Sequence, residues 1–145
     1  MIVVADTSGL FAALDGDQVE HEQGRAVMRS ASFSCLRPDR PRSPGSTELG
    51  WDAALQALEL MLLRIDRGQD RLAVVGRQDL DVARAVRRRR ESLRLDLADC
   101  VGVALADRHP TDEIFTLDQL DFRVIIPLGR FTHFRLLPAD EAQGV

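Results

Sequence analysis

A chain of 145 residues, 45% hydrophobic and 29% charged, has the length and balance of one globular domain with a real core. Its net charge of −4 excludes a global basic field that would gather nucleic acid. No apolar run approaches the ~20 residues that span a bilayer, and Met1 to Asp6 reaches an acid with no basic region before it, so neither a membrane span nor a signal peptide is expected and the protein is read as cytoplasmic.

Ile2-Val3-Val4-Ala5 is a continuous apolar run, the pattern of a strand buried on both faces. It ends at Asp6-Thr7-Ser8, which opens a helix carrying Leu10, Phe11 and Leu14. Asp15-Gly16-Asp17 breaks that helix, and a second is expected from about Val19 to Met28. Between Ser30 and Thr47, Pro38, Pro41 and Pro44 argue against a regular helix or central strand, so 31–47 reads as an irregular Ser/Arg/Pro-rich segment. Leu49, Ala53, Leu55, Leu58, Leu62 and Ile65 then suit one face of a long amphipathic helix, with Trp51 in its first turn as a core or interface anchor.

Arg71 to Val75 reads as a strand and Asp79 to Glu91 as a helix. Leu95 to Val101 starts another helix that reaches about Ala106. Glu113 to Leu117 is a strand, Asp118 to Phe122 a turn, and Val124 to Ile126 and Phe131 to Leu136 are late strands. Strands alternating with helices predict an α/β, Rossmann-like domain around a mainly parallel sheet flanked by helices. One domain over 1–138 is expected, followed by a polar tail over 139–145.

Ligands of open parallel sheets collect outside the carboxyl ends of the strands. Asp6 follows the first strand, Asp118 follows the strand ending at Leu117, and Asp99 lies in the first turn of its helix. Carboxylates gathered at one edge repel each other unless a hard cation neutralises them, and Mg²⁺ or Mn²⁺ takes oxygen ligands of this kind. Taken singly, each acid has a plainer role: Asp6 as an N-cap, Asp99 as a partner of the helix dipole, Asp118 as turn chemistry. Their joint placement points to a metal site. Asp96 and Asp121 are outer candidates, and Ser8 can hydrogen-bond the Asp6 carboxylate.

Asp6-Thr7-Ser8 after an N-terminal strand, Leu97-Ala98-Asp99-Cys100 opening an apolar helix, Thr116-Leu117-Asp118-Gln119-Leu120-Asp121-Phe122, and the ending Gly129-Arg130-Phe131 to Leu137-Pro138 stand in the order found in PIN domains. The chain resembles PIN-domain ribonucleases of the VapC toxin type over about residues 1–30 and 48–138. The resemblance implies a PIN-like fold and a metal-dependent ribonuclease toxin of a toxin–antitoxin module, with Asp6, Asp99 and Asp118 as catalytic metal ligands. It also implies an RNA substrate, a VapB-like antitoxin and a homodimer.

The pattern breaks at the family's second acid, a Glu at an Ala-Glu helix start expected near Arg40. Arg37-Pro38-Asp39-Arg40-Pro41-Arg42 stands there instead, and neither Asp39 nor Glu48 has the matching context. The composition of Ser32 to Thr47 fits a compensated frameshift relative to the family. Finding no apolar strand followed by Ala-Glu in either other reading frame would remove that explanation. Three acids without the fourth leave a second reading, a catalytically impaired PIN remnant that binds antitoxin. A phosphatase of another Rossmann-like family is disfavoured because no second Asp follows Asp6 two positions on.

All 19 basic residues are Arg, a planar fork suited to phosphate and carboxylate partners. Arg87 to Arg90 is the longest charge run; it complements a helix C-terminus or offers a phosphate-contacting edge for RNA. His21, His109 and His133 lack metal-ligand spacing. Cys35 and Cys100 do too, and are expected as two buried or incidental thiols.

Overall fold

The structure, a computed structural model, describes residues 2–30, 32–35, 51–93 and 95–141. In chain order it runs β1 (Ile2–Ala5), α1 (Thr7–Leu14), α2 (His21–Ser30), β2 (Ser32–Cys35), α3 (Trp51–Asp66), β3 (Arg71–Leu72), α4 (Arg77–Arg89), α5 (Leu97–Arg108), β4 (Glu113–Phe115), α6 (Gln119–Val124) and β5 (Arg135–Leu137). The five strands form one sheet in the order β3-β2-β1-β4-β5, and every pairing is parallel.

Successive side chains of a strand face opposite sides of the sheet, and this divides the apolar residues between two cores. Val4, Ile114 and Leu136 face a cluster with Ala83 and Val86 of α4, Cys100, Val103 and Leu105 of α5, and Phe122 and Phe134. Val3, Ala5, Phe115 and Leu137 face the other way, onto Leu10 and Ala13 of α1 and Val27 and Met28 of α2. Helices thus cover both faces, which explains why β1 is an apolar run rather than an alternating one. Two glycines set how closely the second layer packs. A Cβ on Gly9 would overlap the Phe115 carbonyl, and one on Gly24 would stand 2.9 Å from the Ala13 backbone nitrogen.

Several expectations are corrected. The segment 31–47 is not irregular throughout: β2 lies within it, paired in register from Ile2 opposite Ser32 to Ala5 opposite Cys35. The prolines begin only at Pro38, so nothing in Ser-Phe-Ser-Cys forbids the ladder. The strand expected over Arg71 to Val75 keeps only two residues, since β3 is an edge strand and Val74 and Val75 stay exposed. The turn after Asp118 is a short helix, α6, with Asp118 as its N-cap. The strand expected over Val124 to Ile126 is absent, because Val124 ends α6 and Ile125 is buried in the core just before Pro127. Of Phe131 to Leu136, only Arg135 and Leu136 enter β5; Phe134 instead meets Phe122 edge to face, 6.1 Å between centroids. Leu55, Leu58 and Leu62 of α3 are about half exposed, and among the described residues of that helix Met61 packs against the core.

Candidate functional site

The strand order reverses beside β1: the chain winds outward through β2 and β3, then returns to place β4 on the other side. Such a switch point leaves a crevice at the carboxyl ends of the two central strands. Ala5 is paired with Phe115, so the next residues along, Asp6 and Thr116, face one another across that opening.

Asp6 occupies the N-cap of α1, but its side chain caps nothing. It is held instead by two hydroxyls. Ser8 Oγ donates to Asp6 Oδ2 at 2.8 Å and Thr116 Oγ1 donates to the same oxygen at 3.1 Å. Each hydroxyl has one hydrogen, so with both directed at Asp6 the 3.1 Å approach of Ser8 Oγ to Thr116 Oγ1 is a close polar contact only. Their lone pairs accept from the backbone beyond β4: Leu117 N–H donates to Ser8 Oγ at 3.0 Å and Asp118 N–H to Thr116 Oγ1 at 3.0 Å. One network therefore orients Asp6 and the entry to Asp118 together, and leaves Asp6 Oδ1 without a donor among the described residues. Asp118 itself is exposed, with no side-chain capping bond.

Asp99 enters from the other direction, in the first turn of α5. It forms a capping box with Asp96: Asp99 N–H donates to Asp96 Oδ1 at 2.9 Å, and Asp96 N–H reaches Asp99 Oδ2 at 3.4 Å. Burial pushes the Asp99 carboxyl up to about 8, and the charges of Asp96, Asp6 and Asp121 push it the same way. Asp121 is also raised, by burial and then by Asp118 and Asp96. Of the three acids expected at the site, Asp6 and Asp99 thus share one electrostatic neighbourhood with Asp96 and Asp121, and Asp118 joins it through Asp121. Asp6, Asp99, Asp118 and Asp121 have no ion pair among the described residues. No three acids, histidines or cysteines there already stand together as a ready-made ligand group.

Asp39 and Glu48, the possible substitutes for a fourth acid, lie outside the described residues, as do the side chains of Cys35 and Trp51. Cys100 is free and buried. Burial raises its thiol, Asp99 adds to that, and Arg87 pulls the other way. His21 meets the Ala12 carbonyl, His109 caps the C-terminus of α5, and His133 is exposed beside Thr132. Thr116 was missed by sequence reasoning as a site residue; the signal available was its place at the head of Thr116-Leu117-Asp118, one step beyond a buried strand.

A wholly parallel sheet covered by helices on both faces, with acids at its switch point, defines an α/β, PIN-like domain. No family model matches the chain. The chain is 29% identical over 136 residues to Ribonuclease VapC26 of Mycobacterium tuberculosis, covering 90% of this chain and 98% of that protein. The likeness to a VapC ribonuclease therefore runs along nearly the whole of both chains.

Proposed function

We propose that this protein is a divalent-metal-dependent ribonuclease toxin of a toxin–antitoxin module, hydrolysing RNA phosphodiesters, with Asp6, Asp99 and Asp118 as metal ligands. The observation that carries the reading is that Asp6, Asp99 and Asp118 stand at the switch point with no counter-ion among the described residues, where burial, and after it the charges of Asp96, Asp6 and Asp121, raises Asp99 to about 8. Likeness to a ribonuclease along almost the whole chain supports the reaction class.

The donor set fits Mg²⁺ or Mn²⁺, being all hard carboxylate oxygen. When bound, such an ion supplies positive charge at the phosphate and lowers the pKa of an attacking water. The residues contribute orientation. Ser8 and Thr116 hold one oxygen of Asp6 and leave the other for a ligand. Asp99 holds a proton at neutral pH that a cation would displace. Asp96 fixes the first turn of α5 and, with Asp121, keeps the local field negative.

The partners follow the same reading: an RNA substrate, a VapB-like antitoxin and a second copy of the chain. The exposed leucines Leu55, Leu58 and Leu62, spaced to share a face of α3, support a dimer surface. No helix among the described residues is long and apolar enough to cross a membrane.

Cleavage of total RNA tests the reaction. Wild type should cleave with Mn²⁺ and lose cleavage in EDTA. Undiminished cleavage in EDTA would overturn the metal site. Stable protein with no cleavage under any metal, but tight binding to the product of a short upstream gene, would favour the impaired antitoxin-binding remnant.

A further inference from the structure

The Arg run at the end of α4 has a setting that its place on the helix does not explain. Arg87, Arg88 and Arg89 close α4 and Arg90 is its C-cap. Six other arginines pair with acids, namely Arg64, Arg77, Arg84, Arg108, Arg123 and Arg135. None of the four in the run has an ion pair among the described residues. Two of them, Arg87 and Arg90, line an open cavity of about 800 Å³ with Glu91, Ser92 and Leu95. Leu95 is the residue before Asp96, the N-cap of α5, so the lining leads along the chain into the turn that carries Asp99. Arg87 is close enough to act on Cys100, which also feels Asp99 and Asp96.

Cations beside a metal-seeking acid edge have a chemical use. The carboxylates repel every phosphate of an RNA chain, and a bound metal offsets that repulsion at one phosphate only. The neighbouring phosphates need a positive surface, and on a protein of net charge −4 it must be local. A guanidinium offers two parallel N–H donors to a phosphate, a better fit than a point charge. We propose that Arg87 and Arg90 form a phosphate-binding subsite for an RNA backbone flanking the acidic edge, with Ser92 as a further donor. The subsite rests on the ribonuclease reading and adds to it the path of the substrate. It grips the backbone, so it favours no particular base. Glu91, in the same lining, limits its strength.

The test is binding of a fluorescein-labelled single-stranded RNA of about 12 nucleotides to full-length Asp6→Asn protein in Mg²⁺, beside cleavage of total RNA by proteins with Asp6 intact. Arg87→Ala/Arg90→Ala should weaken binding ~10-fold and lower the salt slope by roughly 1, the signature of about two lost phosphate contacts on a single strand. Arg25→Ala/Arg29→Ala, which removes the same charge from the exposed side of α2, should stay within about twofold, and Glu91→Gln should tighten binding slightly. Arg87→Gln/Arg90→Gln repeats the test if the alanine pair folds poorly. Equal losses from both arginine pairs would reduce the effect to net charge and overturn the subsite. Unchanged binding in Arg87→Ala/Arg90→Ala, with cleavage intact, would overturn the subsite and leave the ribonuclease reading standing. Binding that depends on Arg87 and Arg90 without cleavage by wild type would uphold the subsite and remove the hydrolysis. Neither binding nor cleavage by any protein would remove both.

Discussion

Two populations of carboxylate occupy this small domain, and they are treated in opposite ways. Asp70, Asp79 and Glu113 are buried, and each meets an arginine: Arg64 Nε at 2.6 Å, Arg108 at 2.6 Å and Arg135 at 2.8 Å. Asp140, after β5, is held by both nitrogens of the Arg123 fork and by the Leu136 N–H, and its carboxyl lies below the ordinary range, chiefly through Arg123. The acids at the switch point are treated otherwise. Among the described residues Asp6, Asp99, Asp118 and Asp121 have no such partner, and Asp99 and Asp121 are shifted upward. A chain with 19 arginines does not lack cations. The difference lies in placement: the buried Asp70, Asp79 and Glu113 are neutralised internally, while Asp6, Asp99, Asp118 and Asp121 have no counter-ion among the described residues.

Substitution at each population should separate the two roles. Asp6→Asn is expected to lower RNA cleavage by roughly 100-fold or more while leaving urea stability of the metal-free protein equal or higher, since it relieves repulsion at Asp99. Equal cleavage by Asp6→Asn and wild type would erase the functional half of the contrast. Asp70→Asn should do the reverse. The Arg64 fork grips both Asp70 oxygens, at 2.6 and 2.9 Å, at the point where the chain leaves α3 and enters β3. Asp70→Asn breaks this ion pair at a guanidinium that is only 12% exposed, with an expected loss of about 3 kcal/mol. A urea midpoint unchanged in Asp70→Asn would show that water already screens this pair.

The contrast was half legible in the sequence. Asp6, Asp99 and Asp118 could be singled out because each stands beside a hydrophobic run whose end is visible. The parallel sheet was legible from strands alternating with helices. The internal ion pairs were not, because Arg64 with Asp70 and Arg108 with Asp79 are joined by helix ends and turns whose direction no local pattern records. Thr116 was hidden for a similar reason: its hydroxyl matters only because register sets it opposite Asp6. Short elements failed most often. β2 was masked by the prolines after it, and α6 by a turn-like Leu-Asp-Gln-Leu-Asp in which Asp118 serves as an N-cap.

A smaller effect should appear with pH. Asp99 titrates near 8 in the folded, metal-free chain, against an ordinary 3.8. Between those values the folded chain keeps a proton that the unfolded chain has released, so stability declines as pH rises through that window and levels off above it. His109 works in the opposite sense, since burial and Arg108 lower its pKa and stability is gained as it loses its proton near neutrality. Comparison with Asp99→Asn isolates the carboxyl. The variant should melt a few degrees above wild type at pH 8 and much closer to it at pH 5, and Mn²⁺ should raise the melting point of wild type more than that of the variant. A constant gap between the two proteins across this range would mean that Asp99 does not carry the proton.

The smallest effect concerns how the unpaired acids are held. Thr116 is fully buried and touches both halves of the proposed ligand set: its hydroxyl donates to Asp6 Oδ2 and accepts from the Asp118 N–H. Thr116→Val keeps the shape, removes the donor from Asp6, and leaves the Asp118 N–H unanswered. The expected cost in stability is about 1 kcal/mol. Cleavage should fall ~10-fold at limiting Mn²⁺, with part of the loss recovered at saturating metal, because the acids remain and only their orientation is loosened. Thr116→Ser should restore both. A purely structural role would lower stability without moving the Mn²⁺ dependence. Ser8→Ala supplies the partner experiment. Ser8 and Thr116 converge on one oxygen of Asp6, so either remaining hydroxyl can still orient it, and the double variant should lose more activity than the product of the single losses. Independent, multiplicative losses would instead assign each hydroxyl to its own half of the site, Ser8 to the backbone at Leu117 and Thr116 to that at Asp118.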